Sequence, residues 1–244
     1  MEELAQWCEN LRLSQKEGGE LDIDPEAAEA GLVMVEKFLT KRRINLEAVV
    51  HALNPIWKTT ENFEVEDDGD NTALLVFRNE EDLDRVPWPS PWTFNKYLLV
   101  LHKLGLRESV SSLPFDRAPF WVQIHGLPMR QQTKTTGEHL GGSLGEVVMV
   151  DVRGQGFSMG KFLQVRVDIN IFEPLCRGRM VRMGGPMPVW VDFRYERLSI
   201  FCYWCGKLDH DDRDFPLWIQ SKESLGLEDK QFGLWLQAKP KRLQ

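Results

Sequence analysis

Phe63-Glu-Val-Glu-Asp-Asp-Gly-Asp-Asn-Thr-Ala-Leu-Leu-Val-Phe77 reads as a β-hairpin. Phe63-Glu-Val-Glu66 alternates apolar and acidic side chains with the period of two that a half-buried strand requires. Asp67-Asp-Gly-Asp-Asn71 is turn chemistry, because Asp and Asn tolerate left-handed backbone and glycine adopts it freely. Thr72-Ala-Leu-Leu-Val-Phe77 is the returning strand. Upstream of the hairpin, Leu32-Val-Met-Val-Glu-Lys-Phe-Leu39 is β-prone. Asn45 follows as the cap of a helix through Leu46, Val49, Val50 and Leu53 that ends near Pro55. Downstream, Asn79 caps a short helix through Leu83 and Val86, and Pro87-Trp-Pro-Ser-Pro-Trp92 stops it. Tyr97-Leu-Leu-Val-Leu-His102 closes the set. The order over residues 31–104 is β-α-β-β-α-β, a ferredoxin-like topology shared with the RNA recognition motif. An RNA-reading sheet needs aromatics on its central strands. Here those strands offer only Phe38 and Phe77, in acidic surroundings, so this subdomain reads as a packing or assembly scaffold.

The hairpin subdomain is bounded on both sides. Residues 1–30 form an acidic N-terminal arm in which Leu4, Trp7, Leu11 and Leu13 roughly mark one helical face. Residues 105–118, with Ser109, Ser111, Ser112 and Pro114, read as a loop between subdomains. A second small α+β subdomain spans residues 119–194. Its first strand is Phe120-Trp-Val-Gln-Ile-His125, ended by Gly126-Leu-Pro128. A short helix over 131–141 follows, then strands over 146–151, 161–170 and 189–194, with Gln155-Gly-Phe-Ser-Met-Gly160 as a glycine-punctuated turn. The fold class is therefore α+β.

Charge separates the chain further. The 244 residues carry a formal net charge of −7, unusual for a protein that binds phosphates. The first hundred residues hold 10 basic and 21 acidic side chains, whereas residues 101–210 hold 14 and 10. Any phosphate-facing surface is therefore expected in the middle of the chain. The 42% hydrophobic content, with nine Trp and thirteen Phe, supports folded cores. The four cysteines, Cys8, Cys176, Cys202 and Cys205, form no ladder of disulfide spacings, and there is no signal-peptide pattern. A reducing compartment, cytoplasm or nucleus, is expected. No apolar run approaches the length of a membrane span. Lys41-Arg-Arg43 and Lys239-Pro-Lys-Arg242 are short basic clusters of the kind an import factor reads.

Phe201-Cys-Tyr-Trp-Cys-Gly-Lys-Leu-Asp-His-Asp-Asp-Arg-Asp-Phe215 carries the chemistry. Cys202, Cys205 and His210 supply three donors of a C-x2-C-x4-H-x4-C zinc knuckle over residues 195–218, and Gly206 permits the tight turn. The fourth ligand position holds Phe215, so the knuckle is degenerate. Asp214, one residue away, is the candidate substitute, with Asp211 and Asp212 as further carboxylates. The alternatives are a site completed by another chain and a decayed turn that binds no zinc. Tyr203 and Trp204, between the thiols, are candidates for base stacking. Arg177, Arg179, Arg182, Arg194, Arg197 and Lys207 gather nearby in sequence as candidate phosphate contacts. Residues 219–244 are a tail with Trp218, Leu225, Phe232, Leu234 and Trp235 on or beside it.

Arg194-Tyr-Glu-Arg-Leu-Ser-Ile-Phe-Cys-Tyr-Trp-Cys-Gly-Lys-Leu-Asp-His210 resembles the junction in plant retrotransposon Gag-like proteins, the first open reading frame of LINE-type elements. Those proteins join a plant domain of unknown function to a CCHC zinc knuckle. Phe120-Trp-Val-Gln-Ile-His-Gly-Leu-Pro128, Pro91-Trp-Thr-Phe94 and Met1-Glu-Glu-Leu4 with Leu11-Arg-Leu-Ser14 are further hallmarks in the same order. The resemblance covers roughly residues 1–218 and implies binding of zinc and nucleic acid; Phe215 departs from it. No phosphate loop, nucleophile elbow or HExxH motif is present, so an enzyme is not expected. His125, at the end of an apolar strand, reads as structural. The expected function is non-catalytic binding of single-stranded RNA or DNA, with no small-molecule substrate and no membrane. The alternative is an oligomerising scaffold, self-associating through its α+β subdomains, whose knuckle has decayed.

Overall fold

The hairpin forms as its turn chemistry requires. In the computed structural model, which describes residues 31–88, 91–152, 156, 158, 160–220, 226, 228 and 230–239, β2 (Glu64–Gly69) and β3 (Thr72–Phe77) pair antiparallel with Val65 opposite Leu75. Gly69, Asp70 and Asn71 take φ of 82°, 51° and 54° to turn the chain. Asn71 then holds a second loop in place. Its side-chain oxygen accepts from the Ile44 N–H, and its amide donates to the Thr40 and Arg42 carbonyls. The acidic arm over 1–30 lies outside the described residues, as do 240–244.

Around the hairpin stand β1 (Leu32–Phe38), β4 (Trp92–Phe94) and β5 (Tyr97–Lys103), giving a sheet of order β2-β3-β1-β5-β4 with every pairing antiparallel. Without β4 this is the ferredoxin-like order expected from the sequence. Asn45 and Asn79 cap α1 (Leu46–Trp57) and α2 (Glu80–Arg85) through their side-chain oxygens. Two local expectations are corrected. Helix α1 does not end near Pro55 but runs on to Trp57. Pro55 removes one hydrogen bond from the last turn, while the continued turn buries Trp57 against Phe63 and Trp92, with ring centroids at 5.4 and 6.0 Å. The Trp-Thr-Phe stretch after the proline run is strand β4, joined to β5 by Asn95 and Lys96, both at positive φ as a two-residue hairpin turn demands.

Helices α1 and α2 cover one face of this sheet over Met34, Phe38, Leu75 and Leu99. Glu36 points to the same side, with Ala73 and Leu101 as its cross-strand partners. It is 0% exposed and neither carboxylate oxygen has a hydrogen-bond partner. Burial pushes its pKa up to about 8.

The second sheet consists of β6 (Arg117–His125), β7 (Glu146–Asp151), β8 (Leu163–Asn170), β9 (Gly178–Val181) and β10 (Val189–Tyr195). Its order is β7-β8-β6-β10-β9, again wholly antiparallel. Counted from its own first strand, this is second-third-first-fifth-fourth, the order of the first sheet. Strand β9 was not expected; Arg179 sits on it rather than between strands. Helix α3 (Lys134–Gly141), capped by Thr133, fills the first crossover. The second crossover, residues 171–177, has no helix. The knuckle segment covers that half of the face instead: the Leu208 N–H bonds the Ile171 carbonyl and the Leu175 N–H bonds the Gly206 carbonyl. Phe201, Leu208, Phe232 and Leu236 enter the same core as Phe120, Val165 and Phe193. Part of the tail is therefore structural: the Phe232 N–H bonds the Tyr203 carbonyl, and the Ala238 N–H bonds the Tyr195 carbonyl.

Helix α3 lies close to the sheet through two glycines. A Cβ on Gly141 would stand 2.8 Å from a Val147 methyl and 2.9 Å from a Val165 methyl, both on stiff β-branched side chains. On an exposed helix, Gly→Ala stabilises by about 1 kcal/mol. Here overpacking, typically about 1–3 kcal/mol, has the opposite sign. Gly141→Ala is expected to lower stability in urea melts by up to about 2 kcal/mol on balance.

The two sheets meet through β5. Leu98 and Val100, on the face opposite Leu99, join the second sheet's core. The helix-free face of the first sheet, the face that RNA recognition motifs use, is thus covered along β5. Its other positions, Val33, Val35, Leu74 and Val76, include no aromatic ring. On the far side of the second sheet, the Arg166 guanidinium lies 4.9 Å from the Trp88 ring and 5.8 Å from Trp121, and fixes the loop after α2.

Candidate metal centre and nucleic-acid interface

The turn at Cys202 is closed by backbone bonds from the Gly206 N–H to the Cys202 carbonyl and from the Cys202 N–H to the Lys207 carbonyl. Gly206 is required here on two counts. Its φ is +77°, and a Cβ would stand 2.5 Å from the Phe232 ring. The turn directs amides at the sulfurs: the N–H groups of Trp204 and Cys205 at Cys202, and that of Lys207 at Cys205. Such donors favour thiolate. The Cys202 hydrogen bond lowers the Cys205 pKa to about 6, helped by the Lys207 amide and by His210. Cys202 is raised, by the same hydrogen bond and by burial.

His210 Nε2 is 3.4 Å from Cys205 Sγ, and its Nδ1 is 2.7 Å from Asp209 Oδ1. The three donor atoms of Cys202, Cys205 and His210 lie within 4.8 Å of one another. A tetrahedron with zinc–sulfur bonds of about 2.3 Å has edges of about 3.8 Å, so the Cys205–His210 pair is close to that spacing and the widest pair would draw in by up to about 1 Å around a metal. Asp209 takes the role of the outer carboxylate that orients a metal-binding imidazole. Sequence reading passed over it, although its position beside His210 was the available signal. Two thiolates and an oriented imidazole fit zinc at three positions.

The fourth position is aromatic. The Phe215 ring stacks on His210 with centroids 6.2 Å apart and planes at 3°, and on Trp204 at 6.4 Å and 11°. Trp218 continues the stack on Trp204 at 5.5 Å. The carboxylates named as substitutes are not part of the three-donor cluster and have other neighbours. Asp214 faces Lys41, Asp212 accepts from the Tyr203 N–H and from Lys230, and Asp211 accepts from the Arg213 N–H.

The predicted nucleic-acid residues do not form one patch. Trp204 is 9% exposed, packed between Phe215 and Trp218, with the Lys230 ammonium 5.0 Å from its ring. It is a packing residue and offers no free ring face. Arg177 donates to the Gln231 carbonyl and covers Phe232, while Arg197 lies over Trp92. Lys207 is half-buried in the turn. Arg179 and Arg182 are exposed at the β9 edge, and Arg194 stands on the outer face of β10.

Tyr203 has a different setting. It lines a cleft of about 570 Å³ between the knuckle and the loop held by Asn71. Arg42, Arg43 and Arg213 contribute cations to this cleft, and Tyr97 a second half-buried ring. Sequence reading treated Lys41-Arg-Arg43 only as an import signal. Nothing local shows that the fold brings it to the knuckle.

Comparison with known proteins follows this division. Residues 26–111 match the Domain of unknown function (DUF4283), and residues 169–217 match the Zinc knuckle family. The second match begins at the helix-less crossover that pairs with the knuckle turn. An uncharacterized Arabidopsis thaliana protein, At4g02000, is 22% identical over 135 residues, 55% of this chain and 42% of that protein, so the match spans less than half of that relative's length. Among solved structures, RNA recognition domains 1 and 2 of Drosophila melanogaster Sex-lethal align with a TM-score of 0.24 and 14% identity, over 56% of this chain and 85% of that one. The first two RRM domains of the yeast poly(U) binding protein Pub1 align at 0.23 and 12%, over 55% and 81%. Scores of that size carry no argument, and the ferredoxin-like assignment rests on strand order. The chain carries a DUF4283 segment followed by a zinc-knuckle segment.

Proposed function

We propose that the protein is a non-catalytic binder of single-stranded nucleic acid, of retrotransposon Gag-like origin, with a three-donor zinc knuckle. The observation that carries the reading is the cleft beside the knuckle, where three arginines line the walls with two tyrosines, outnumbering the two aspartates, Asp211 and Asp212. Arginines track a phosphate backbone, and aromatic rings stack unpaired bases without sequence preference. The order of a DUF4283 segment and a zinc knuckle supports the Gag-like kinship. Cys202, Cys205 and His210 would hold the metal, which supplies a cross-link for the turn and no reaction chemistry.

The cleft is tested by salt. Log affinity for a single strand falls with log salt by about 0.7 per phosphate contact. Arg42→Ala/Arg43→Ala is expected to reduce that slope by about 1.4, measured by fluorescence anisotropy between low and moderate salt. An unchanged slope would remove the cleft from the interface. The competing reading, a self-associating scaffold with a decayed knuckle, draws on the Phe215 stack and predicts purified protein without stoichiometric metal.

A further inference from the structure

The two sheets share a strand order, but their helix-free faces differ. The face of the second sheet opposite α3 carries Trp121 and His125 on β6 and Trp190 on β10. Phe162 stands directly before β8, where the register pairing Ile124 with Leu163 places it beside His125, and their rings are 4.9 Å apart. In this strand order β6 and β8 are the central strands, the positions from which an RNA-reading sheet stacks bases. One end of the face is closed by Trp88 over Arg166 and Trp121. At the other end, among the described residues, Trp190 is left exposed.

Trp190 dominates that end. It is 47% exposed, yet its ring is fixed. The indole lies across Gly178 of the neighbouring strand so closely that a Cβ there would stand 2.6 Å from it. Its Nε1 donates to Asp192 Oδ1 at 2.9 Å. One face of the ring packs on backbone while the ring stays nearly half exposed. The nearby carboxylates are engaged: Asp192 with Trp190, and Glu196 with the amides of Gln123 and Gln164. Arg194, on the same face, makes no ion pair among the described residues, and its charge, after burial, lowers the His125 pKa. Arg179, paired with Val191, belongs to the α3 side of the sheet and not to the face that carries Trp190.

We propose that this half of the second sheet is a stacking platform for unpaired nucleobases, with Trp190 as the stacking ring and Arg194 as a phosphate contact. The proposal rests on the nucleic-acid reading above and adds a surface separate from the Arg42–Arg43 cleft. A fixed flat ring with the Arg194 guanidinium on the same face suits a base and its phosphate. The neighbouring Met180 is also exposed, and a protein partner would use it together with Trp190.

The test is anisotropy of a labelled twelve-nucleotide oligouridylate with the full chain at low salt, comparing Trp190→Ala, Trp190→Phe, Trp190→Leu and Arg42→Ala/Arg43→Ala. Thermal melts establish that each variant is folded. Trp190→Ala is expected to weaken binding roughly 5- to 100-fold, the range of one base–aromatic stack. Trp190→Phe should retain most of the affinity and Trp190→Leu should behave as Ala. If wild type binds and Trp190→Ala binds equally well, the platform falls while the nucleic-acid reading stands. Rescue by Leu as complete as by Phe means apolar contact rather than stacking, and overturns the proposal. Concentration-dependent self-association that Trp190→Ala abolishes, with oligonucleotide affinity unchanged, assigns the face to protein contact and also overturns it. No binding by wild type removes both readings together.

Discussion

Phe215→Cys is expected to tighten zinc binding by two to three orders of magnitude. The three present donors are already preorganised by backbone amides at the sulfurs and by Asp209 behind His210. Structural zinc contributes about 10–16 kcal/mol across four ligands, so one added thiolate is worth about 3–4 kcal/mol, or about 100- to 1,000-fold. The Phe215 ring lies against the His210 ring, which puts the substituted side chain beside the donor cluster. The substitution also removes the stack on Trp204, a loss of about 1 kcal/mol that the metal far outweighs. Phe215→Ala is the control, because it loses the stack and gains no donor. Competition with a zinc chelator, together with the visible spectrum of the cobalt-loaded protein, reads the result. A Cys variant that binds zinc no more tightly than the Ala variant would show that position 215 does not face the cluster.

What the sequence made legible was local chemistry. The Asp-Asp-Gly-Asp-Asn turn and the Asn45 and Asn79 caps act within a few residues of themselves, and each formed where expected. The strands that escaped, β4 and β9, span three and four residues and are too short to show alternation. The shared order of the two sheets left no repeat in sequence, because the second crossover lacks the helix and borrows its cover from the knuckle. The same borrowing explains Trp204. Trp204, between the two cysteines, was expected to stack on bases. Phe215 and Trp218, eleven and fourteen residues downstream, return to cover it. The cleft was the least legible feature, since Arg43 and Tyr203 are 160 positions apart and the loop carrying Arg43 is held by Asn71, which lies about thirty residues away in sequence.

Replacing Glu36 should remove a pH dependence that the wild-type fold carries in its first core. Unfolded, this carboxyl ionises near its ordinary value of 4.5; folded, burial holds it protonated until about 8. Between those values the unfolded chain binds fewer protons at this site than the folded one, so rising pH favours unfolding. At 1.36 kcal/mol per pKa unit the loss across the window is about 4–5 kcal/mol, and it levels off above pH 8. The direction is opposite to that of a salt-bridged carboxylate, and it follows from Ala73 and Leu101, rather than a cation, standing beside Glu36 on the adjacent strands. Glu36→Gln removes the ionisation but leaves a buried amide without a partner. Glu36→Met removes both costs with a side chain of similar length. Urea melts at pH 5, 6.5 and 8 should show wild type losing stability at each step relative to both variants. The advantage of the Met variant should be greatest at pH 8. Parallel profiles for wild type and Glu36→Gln would mean that the carboxylate reaches a partner or water in the folded chain, and that the first sheet's core is not closed over it.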